Sequence, residues 1–215
     1  MEGCQTKLIH RGAEADLLLG RWCGLESIYK SRKPLTYRLK VLDDAVRTRR
    51  TAHEALMLRE AKRVGVRTPY LYHVDTKGAV IIMEYLKGAR LKDRASGMSR
   101  AGVSAVFGEV GTMVGTLHSS GIMHGDVTTS NLLETSSGLA MIDFGLSTHT
   151  QRIEDHAVDL RLIKETLTGA HPMIADLALD SIFAAYRKVV GGARLKQVKR
   201  QLSEIERRGR YARAD

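Results

Sequence analysis

The stretch "GIMHGDVTTSNLLE", residues 121–134, places Asp126 and Asn131 five positions apart in one short polar loop, and Asp143 follows twelve positions after Asn131. Phosphoryl transfer needs a carboxylate that orients the attacking oxygen and oxygen ligands that hold Mg²⁺ against the phosphates of ATP. Asp126 suits the first task, whereas Asn131 and Asp143 suit the second. Each residue alone is a weak signal, since Asp and Asn in loops usually bond to backbone amides. Together they predict a catalytic Asp126 and a magnesium site formed by Asn131 and Asp143.

The combined pattern H-x-D-x-x-x-x-N and D-F-G lies between a long apolar helix and a strand, and it resembles the protein-kinase-like superfamily. This resemblance implies a strand lysine that reaches the α- and β-phosphates and a helical glutamate that holds the lysine. Lys30 in "SIYK" and Glu54 in "RTAHEA" have these contexts. Lys33 competes with Lys30, but it lies in a proline-containing loop. Taken singly, an exposed Lys or a helical Glu is a surface residue most of the time.

The glycine-rich loop of kinases is poorly matched, because "RGAEAD", residues 11–16, contains one Gly where kinases show three. Backbone amides near Gly12 can still approach phosphate. Glu14 is electrostatically awkward beside a polyphosphate unless it faces a metal or a lysine. The remaining candidate nucleotide-binding residues are Gly12, Ala13, Glu14, Ala15 and, near the end of the apolar run "AVIIMEYL", Glu84.

The elements that must position these residues follow from the hydrophobic pattern. The segments "TKLIH", "ADLLLGRW" and "ESIYKS" are short, apolar and broken by Gly, which predicts strands. A helix is predicted in "RTRRTAHEALMLREAKRVG", with Gly65 where a helix stop belongs. The run "AVIIMEYL" is typical of a buried strand. The N-terminal part, residues 1–86, is therefore expected to be a small β-rich lobe with one helix that binds ATP.

The rest of the chain is mostly helical in its pattern. Apolar residues from Val103 to Leu117 recur at the period of a helix with one buried face. The segments "NLLE" and "LAMIDFG" flank "TSSG" as a hairpin, and helices are predicted from Asp155 onward. Pro172 is placed to open one helix that Gly191 and Gly192 end. The prediction is an α+β, bilobal, protein-kinase-like fold: an N-terminal lobe at 1–86, a helical C-terminal lobe at 87–203 and a basic tail at 204–215.

The chain of 215 residues has a formal net charge of +10 that is spread unevenly. Residues 30–67 carry twelve Lys or Arg against four acids, and residues 187–215 carry ten against three. This distribution fits either a solvated basic surface or a polyanionic partner, meaning a nucleotide, RNA or both. Cys4 and Cys23 have no metal-ligand spacing, and no apolar run is long enough to span a membrane. We expect a soluble, cytoplasmic protein with free thiols, no membrane contact and no DNA sequence specificity.

Departures from ordinary protein kinases narrow the function. After Gly145 there is no A-P-E and no long activation segment, and Gly125 stands where those kinases place the Arg of H-R-D. Both changes argue against activity switched by phosphorylation. Thr128 replaces the Lys usual two residues after the catalytic Asp, which should weaken stabilisation of the γ-phosphate. These features favour ATP binding with slow turnover and little capacity to select peptide substrates.

With these departures the sequence resembles a narrower family, the small atypical kinases of the KEOPS complex. The matching stretches extend from residue 12 to residue 210 and include "GAEAD", "MHGDVTTSNLL", "IDFGLS", "AVDL" and "ERRGR". The resemblance implies binding of ATP and Mg²⁺, weak serine/threonine kinase activity and an ATPase role in threonylcarbamoyladenosine formation on tRNA. It also implies as partners the threonylcarbamoyl-transferase subunit and other KEOPS-type subunits.

Two alternatives stay open. A small-molecule phosphotransferase of the aminoglycoside or choline kinase type also shows H-G-D and a later Asp, although such chains are generally longer. The second alternative is a scaffold that binds nucleotide without turnover, and Thr128 is compatible with it.

Asp159 in "AVDL" is expected to open a helix, either as a plain cap or as an acceptor for amides of the catalytic loop.

The basic tail crowds four arginines into its last nine positions, Arg207, Arg208, Arg210 and Arg213. A frayed, solvated terminus explains such a segment. The other interpretation is that the tail reaches tRNA phosphates or the partner's site, because the planar fork of arginine pairs with phosphate through two hydrogen bonds.

Overall fold

A five-stranded antiparallel sheet forms most of the N-terminal part. The computed structural model describes residues 6–211, so Cys4 and Arg213 lie outside the described residues. The sheet has the order β1-β2-β3-β5-β4. Its strands are β1 (Lys7–Arg11), β2 (Ala15–Trp22), β3 (Leu25–Arg32), β4 (Leu71–Asp75) and β5 (Val80–Glu84). Lys30 pairs with Leu17 on one side and Ile81 on the other, which places it in the middle of the sheet.

The helix α1 (Lys40–Arg63) crosses between β3 and β4. It begins seven residues before the predicted segment at Arg47, and its first turn exposes apolar side chains that gave no periodic signal. Its buried stripe includes Thr51, Glu54, Leu58 and Ala61, which recur at helical spacing. Gly65, at φ +95°, follows the helix where a left-handed residue is favoured, which confirms the predicted stop.

Up to Tyr211, the last described residue, the C-terminal part is built on five helices and two small sheets. The helices are α2 (Leu91–Arg94), α3 (Arg100–Ser119), α4 (Ile153–Ala170), α5 (Ala175–Val190) and α6 (Gly192–Tyr211), with a short 3₁₀ turn at Ala95–Gly97. The strands are β6 (Gly88–Arg90), β7 (Ile122–Met123), β8 (Leu132–Thr135), β9 (Gly138–Met141) and β10 (Thr148–His149). Strands β8 and β9 form the predicted hairpin, and β6 pairs with β8 from the connector between the two parts.

Helices α3 and α5 approach closely at the centre of the main hydrophobic core. A methyl group on Gly111 would lie 2.2 Å from the carbonyl oxygen of Ile182, and one on Gly115 would lie 3.0 Å from Val189. Two glycines one turn apart therefore allow backbone contact between the helices. Phe107 and Val114 on the same face of α3 are fully buried. This packing fixes the end of α3, from which the catalytic loop departs.

The structure differs from the predicted elements at several places. Strands β4, β6, β7 and β10 were not predicted, because they are short and depend on pairing with distant segments. Pro172 lies three residues before α5 rather than at its start. Residues 204–211 continue α6 instead of forming a separate tail, because Ile205 extends the buried stripe of Val198 and Leu202.

Candidate active site

The catalytic loop connects the end of α3 to β8 and holds Asp126 and Asn131 against each other. The Nδ2 atom of Asn131 donates to Asp126 Oδ2 at 2.8 Å and to the Asp126 carbonyl at 3.0 Å. Because the amide nitrogen is engaged, the Oδ1 atom of Asn131 is the group that remains to act as an oxygen ligand. This arrangement fixes the orientation of the Asp126 carboxylate.

Gly125 adopts a backbone conformation that explains why it stands in place of arginine. Its φ is +81°, and a methyl group on it would lie 2.4 Å from the carbonyl oxygen of Leu146. A larger residue at this position would force the loop away from the segment after Gly145. Only residues 146–152 separate Gly145 from α4, so the short connection and the glycine fit together.

Asp159 on α4 anchors the loop from beneath. Its carboxylate accepts the backbone N–H of His124 at 2.7 Å and that of Gly125 at 2.8 Å, and it lies 3.1 Å from His118 Nε2. The Nδ1 atom of His118 lies 2.9 Å from the hydroxyl oxygen of Tyr186. Since α4 begins at Ile153, Asp159 is in its second turn, so its interpretation as a helix cap is wrong.

His124 is a scaffold of the loop. It is fully buried, its Nδ1 accepts the backbone N–H of Asp126 at 3.2 Å, and its carbonyl accepts the hydroxyl of Ser147 at 2.9 Å. Burial lowers the pKa of His124 despite the nearby acids. A neutral imidazole suits the acceptor role of Nδ1 toward Asp126.

Lys30, Glu54 and Asp143 form a charged cluster between the sheet, α1 and the segment after β9. The Nζ atom of Lys30 lies 2.7 Å from Glu54 Oε1 and 2.8 Å from Asp143 Oδ1. Burial alone would lower the pKa of Lys30, but the charges of Glu54 and Asp143 outweigh burial and raise it. Burial would raise the pKa of Asp143, and the charge of Lys30 overcomes this and lowers it. Both groups are therefore held in their charged forms.

Asp143 adopts φ +62°, a left-handed conformation that Asp and Asn tolerate better than most residues. This conformation turns its carboxylate toward Lys30. Lys33, the competitor for the role of Lys30, instead donates to the Gly12 carbonyl at 2.9 Å and pairs with Asp16. The structure thus places Lys30, not Lys33, beside Glu54 and Asp143.

The loop at Gly12 is a tight turn in which the Gly12 N–H donates to the Ala15 carbonyl at 3.0 Å. A methyl group on Gly12 would lie 2.7 Å from that carbonyl oxygen, so the single glycine is sterically required. Glu14 faces two arginines rather than a lysine. Its carboxylate pairs with Arg32, at 3.7 Å, and with Arg50.

Glu84 lies at the wall of the cavity, where its carboxylate accepts the backbone N–H of Tyr70 at 3.1 Å. The Glu84 N–H donates to the Tyr70 carbonyl at 2.8 Å. The side chain therefore holds the segment before β4 against the end of β5.

All ten residues predicted for the site line a single cavity of about 600 Å³ between the two parts of the chain. Apolar side chains also line this cavity, namely Leu17, Ile28, Met83, Leu133 and Ile142. An apolar slot that opens onto convergent charged groups suits a ligand with an aromatic ring and a polyphosphate.

The sequence analysis missed the arginines that line the cavity, among them Arg32 and Arg50. Arg32 is buried, and its Nη2 donates to Glu54 Oε2 at 2.6 Å, so Glu54 is paired with two cations. Periodicity offered a signal for both. Arg32 is two residues from Lys30 in a strand, and Arg50 is four residues from Glu54 in a helix, so each pair shares a face.

The described residues contain no group of three or more His, Cys, Asp or Glu side chains that would hold a metal ion alone. Asn131 and Asp143 fit Mg²⁺ as oxygen donors that share the ion with phosphate oxygens, which is how this ion is commonly bound in phosphotransferases. Among residues 6–211, no helix has the length and apolar character needed to cross a membrane.

Comparisons with known proteins agree with this geometry. The protein kinase domain family matches residues 29–170. Two crystal structures of the Rio2 kinase from Chaetomium thermophilum, one an ADP/Mg²⁺-phosphoaspartate complex, superpose with TM-scores of 0.63 and 0.64 at 13% identity. Each superposition covers 92% of this chain and 71% of the other chain. At that identity the likeness shows the fold alone, and it confirms the predicted bilobal kinase-like architecture.

The KEOPS complex subunit Bud32 of Pyrococcus abyssi is 37% identical over 211 residues, which cover 95% of this chain and 96% of the relative. A protein of Methanothermobacter thermautotrophicus named probable bifunctional tRNA threonylcarbamoyladenosine biosynthesis protein is 34% identical over 204 residues. This chain spans only 36% of that bifunctional protein.

The fold and the charged cluster are those of a protein-kinase-like domain. The chain belongs to the protein kinase domain family and, within it, to the family of the KEOPS complex subunit Bud32. The resemblance inferred from "HGDVTTSN" and "IDFGLS" is thereby confirmed.

Proposed function

We propose that this protein binds ATP with Mg²⁺ and transfers or hydrolyses the γ-phosphoryl group in support of threonylcarbamoyladenosine modification of tRNA, as part of a KEOPS-type complex. The observation that carries the proposal is the convergence of Lys30, Glu54, Asp126, Asn131 and Asp143 on one cavity. The names of the relatives support the biological setting.

The N-terminal residues are proposed to bind the nucleotide. Lys30 is held by Glu54 and pre-aligned at Asp143, so its ammonium group can receive phosphate oxygens without first being ordered. Arg32 pairs with the second carboxylate oxygen of Glu54 and helps to hold Glu54 in position beside Lys30 while Lys30 receives phosphate oxygens. The backbone from Gly12 to Ala15 covers the phosphates, and Glu84 lies at the base end of the cavity.

The C-terminal residues are proposed to perform the chemistry. Asp126, oriented by Asn131 at 2.8 Å, accepts the proton of the attacking hydroxyl or water. Asn131 and Asp143 would hold Mg²⁺, which when bound neutralises charge on the transferred phosphoryl group. Asp143 is ionised already in the free protein, because Lys30 lowers its pKa.

The segment that follows the site, where an acceptor would bind, is short. Thr128 stands where a phosphate-binding lysine is usual, and residues 146–152 connect Gly145 directly to α4. No activation segment forms a platform for an extended peptide within the described residues. We therefore propose weak serine/threonine kinase activity toward any peptide, with ATP hydrolysis in the complex as the main reaction.

The proposed partners are a threonylcarbamoyl-transferase subunit, other KEOPS-type subunits and, through the complex, tRNA. The bifunctional relatives are much longer than this chain. The basic C-terminal segment, residues 204–215, supplies arginines that suit RNA phosphates.

ATP turnover measured with and without a transferase subunit and tRNA tests the proposal. We expect slow Mg²⁺-dependent turnover by the protein alone and faster turnover in the complete mixture. The Lys30→Met variant is the control, since Arg32 still pairs with Glu54 and the fold should persist. If wild type and Lys30→Met behave alike, the proposed function is wrong.

A further inference from the structure

Glu14 rests on two guanidinium groups inside the candidate active site. Its Oε2 lies 3.7 Å from Arg32 Nη1 and in direct contact with Arg50 Nη1. Arg32 ends β3, whereas Arg50 lies on α1 one turn before Glu54. The turn at Gly12 thus carries an acid across the cavity onto cations from two other elements.

These cations belong to the same wall as the charged cluster. Both arginines line the cavity with Lys30 and Asp143. A methyl group on Gly145 would lie 3.4 Å from Asp143 Oδ1 and 3.6 Å from Arg32 Nη2, so both groups lie next to Gly145. Arg50 therefore shares with Arg32 the contact to Glu14.

The ion pairs in the cluster differ in how easily they can be exchanged. The side chains of Lys30 and Glu54 are 11% and 1% exposed, whereas those of Arg50 and Glu14 are 38% and 50% exposed. An exposed pair contributes little stability and is screened by salt. A phosphate group offers more negative charge than one carboxylate and can accept two hydrogen bonds from a guanidinium group. A polyphosphate should therefore displace Glu14 from Arg50 while Lys30 and Glu54 stay in place.

We propose that Arg50 is a further nucleotide-binding residue that receives a phosphate group, and that Glu14 occupies its guanidinium until nucleotide enters. This inference rests on the proposed function at the same site. It gives Glu14 an opposing role: the loop backbone covers the phosphates, while the carboxylate competes with them for Arg50. The contribution of Arg50 to nucleotide affinity is then the free energy of its phosphate contact minus that of its weak ion pair with Glu14.

Isothermal titration calorimetry with Mg·ADP, Mg·ATP and adenosine tests this role. Arg50→Ala should weaken binding of both Mg·nucleotides by about tenfold, a usual value for a charge-assisted hydrogen bond, and leave adenosine binding unchanged. Arg49→Ala is the matched control, because Arg49 is exposed on the same helix and does not line the cavity. It should bind all three ligands like wild type.

Glu14→Gln should tighten Mg·nucleotide binding by about threefold, the worth of a weak surface ion pair, without affecting adenosine. In the Arg50→Ala background the same change should have no effect, since the Arg50 guanidinium is gone and Arg32 stays paired with Glu54. Thermal unfolding of each variant checks that the fold persists, and Arg50→Gln serves as a second variant that retains a polar side chain.

Three results would overturn the inference. The first is that Arg50→Ala and Arg50→Gln bind Mg·nucleotide like Arg49→Ala, which would leave Arg50 as a surface partner of Glu14. Weaker binding by Glu14→Gln would show that the carboxylate assists the nucleotide or its metal. If Glu14→Gln also tightens Mg·nucleotide binding in the Arg50→Ala background, Glu14 competes with the nucleotide for a group other than Arg50. Wild-type protein that binds no Mg·ATP would instead reject the proposed function itself.

Discussion

Asp159 and Gly125 are joined by a hydrogen bond of 2.8 Å that ties α4 to the catalytic loop, from Gly125 N–H to Asp159 Oδ1. The other carboxylate oxygen accepts the neighbouring N–H of His124 at 2.7 Å. One buried carboxylate therefore fixes two successive peptide groups immediately before Asp126. The left-handed conformation at Gly125 depends on this anchor, because the loop backbone has few alternatives once both amides are bound.

Asp159→Asn should loosen the catalytic loop. An amide side chain has one acceptor oxygen, so one buried N–H loses its partner at a cost of about 1–3 kcal/mol. We expect lower thermal stability and a kcat reduced by about tenfold or more, with nearly unchanged Mg·ATP affinity. Glu165→Gln, an exposed substitution on the same helix, is the control. Equal losses of kcat and affinity would contradict a positioning role.

Substitutions of Asp126 and of Asp143 should affect different properties, namely ATP turnover and Mg²⁺-dependent nucleotide binding. Asp126→Ala removes the proton acceptor and should lower ATP turnover by roughly 10²–10⁴-fold while Mg·ATP still binds. Asp143→Asn keeps a residue that tolerates φ +62° but removes the charge, so Mg²⁺-dependent binding should weaken. Turnover assays and calorimetry with and without Mg²⁺ separate the two effects. Wild-type turnover in both variants would contradict the assigned roles.

The buried environment of His156 should make the stability of the protein depend on pH. It is buried against His118, with ring centroids 4.0 Å apart, and Arg194 donates to its Nδ1 at 2.9 Å. Burial, followed by the charges of His118 and Arg194, lowers its pKa to about 4. Because the unfolded chain binds the proton more tightly, stability is full above the unfolded pKa, about 6.5, and falls as the pH drops toward 4.

Between pH 7 and pH 5 this one group should reduce the free energy of unfolding by about 2 kcal/mol. Urea unfolding at both pH values measures the change. His156→Gln should show a smaller pH dependence than wild type, since it cannot take up the proton. His124 and His171, whose pKa values are also lowered by burial, remain in both proteins and act in the same direction. An unchanged slope in the variant would remove His156 as a cause.

Gly111 and Gly108 offer a matched test of helix packing. Gly111→Ala would place a methyl group 2.2 Å from the Ile182 carbonyl and should destabilise the protein by about 1–3 kcal/mol. Gly108 lies on the same helix, and a methyl group on it would have no heavy atom within 4 Å, so Gly108→Ala should stabilise the protein by up to about 1 kcal/mol. Denaturant unfolding of both variants gives the comparison, and a neutral Gly111→Ala would show that α5 can move away.

Much of the site could be predicted because short segments of the sequence contain its key residues at fixed spacings. The loop from His124 to Asn131 and the segment at Asp143 carry fixed spacings that the kinase-like geometry requires. Lys30 and Glu54 were predicted from strand and helix context, and the structure places them 2.7 Å apart. Their roles in binding and chemistry stay predictions until tested.

The residues that sequence reasoning missed depend on tertiary contacts. Helical spacing places Arg50 on the face of Glu54, but only the folded loop brings Glu14 to it. The anchor role of Asp159 was one of two interpretations, because its target lies 34 residues away. The short strands β7 and β10 form only because the chain after Gly145 returns to the catalytic loop.

The basic C-terminal segment yields the last prediction. Its first residues belong to α6, where Ile205 is buried and Glu206 pairs with Lys164 at 2.7 Å. Deletion of 207–215 retains both of these interactions, so the fold and Mg·ATP binding should persist. If the arginines bind RNA, tRNA binding by the assembled complex should weaken. The log–log salt dependence should fall by roughly 0.7–0.9 for each phosphate that the deleted arginines neutralise.

Salt titrations of tRNA binding by the full-length and truncated proteins, each with its partners, measure that slope. A control variant with Arg59→Gln and Arg63→Gln removes positive charge from the exposed end of α1 instead. A smaller slope in the truncated protein alone would assign the phosphate binding to the segment after Glu206, because a general decrease in charge would affect both variants. Superimposable curves for the truncated and full-length proteins would leave these arginines as a solvated helix end.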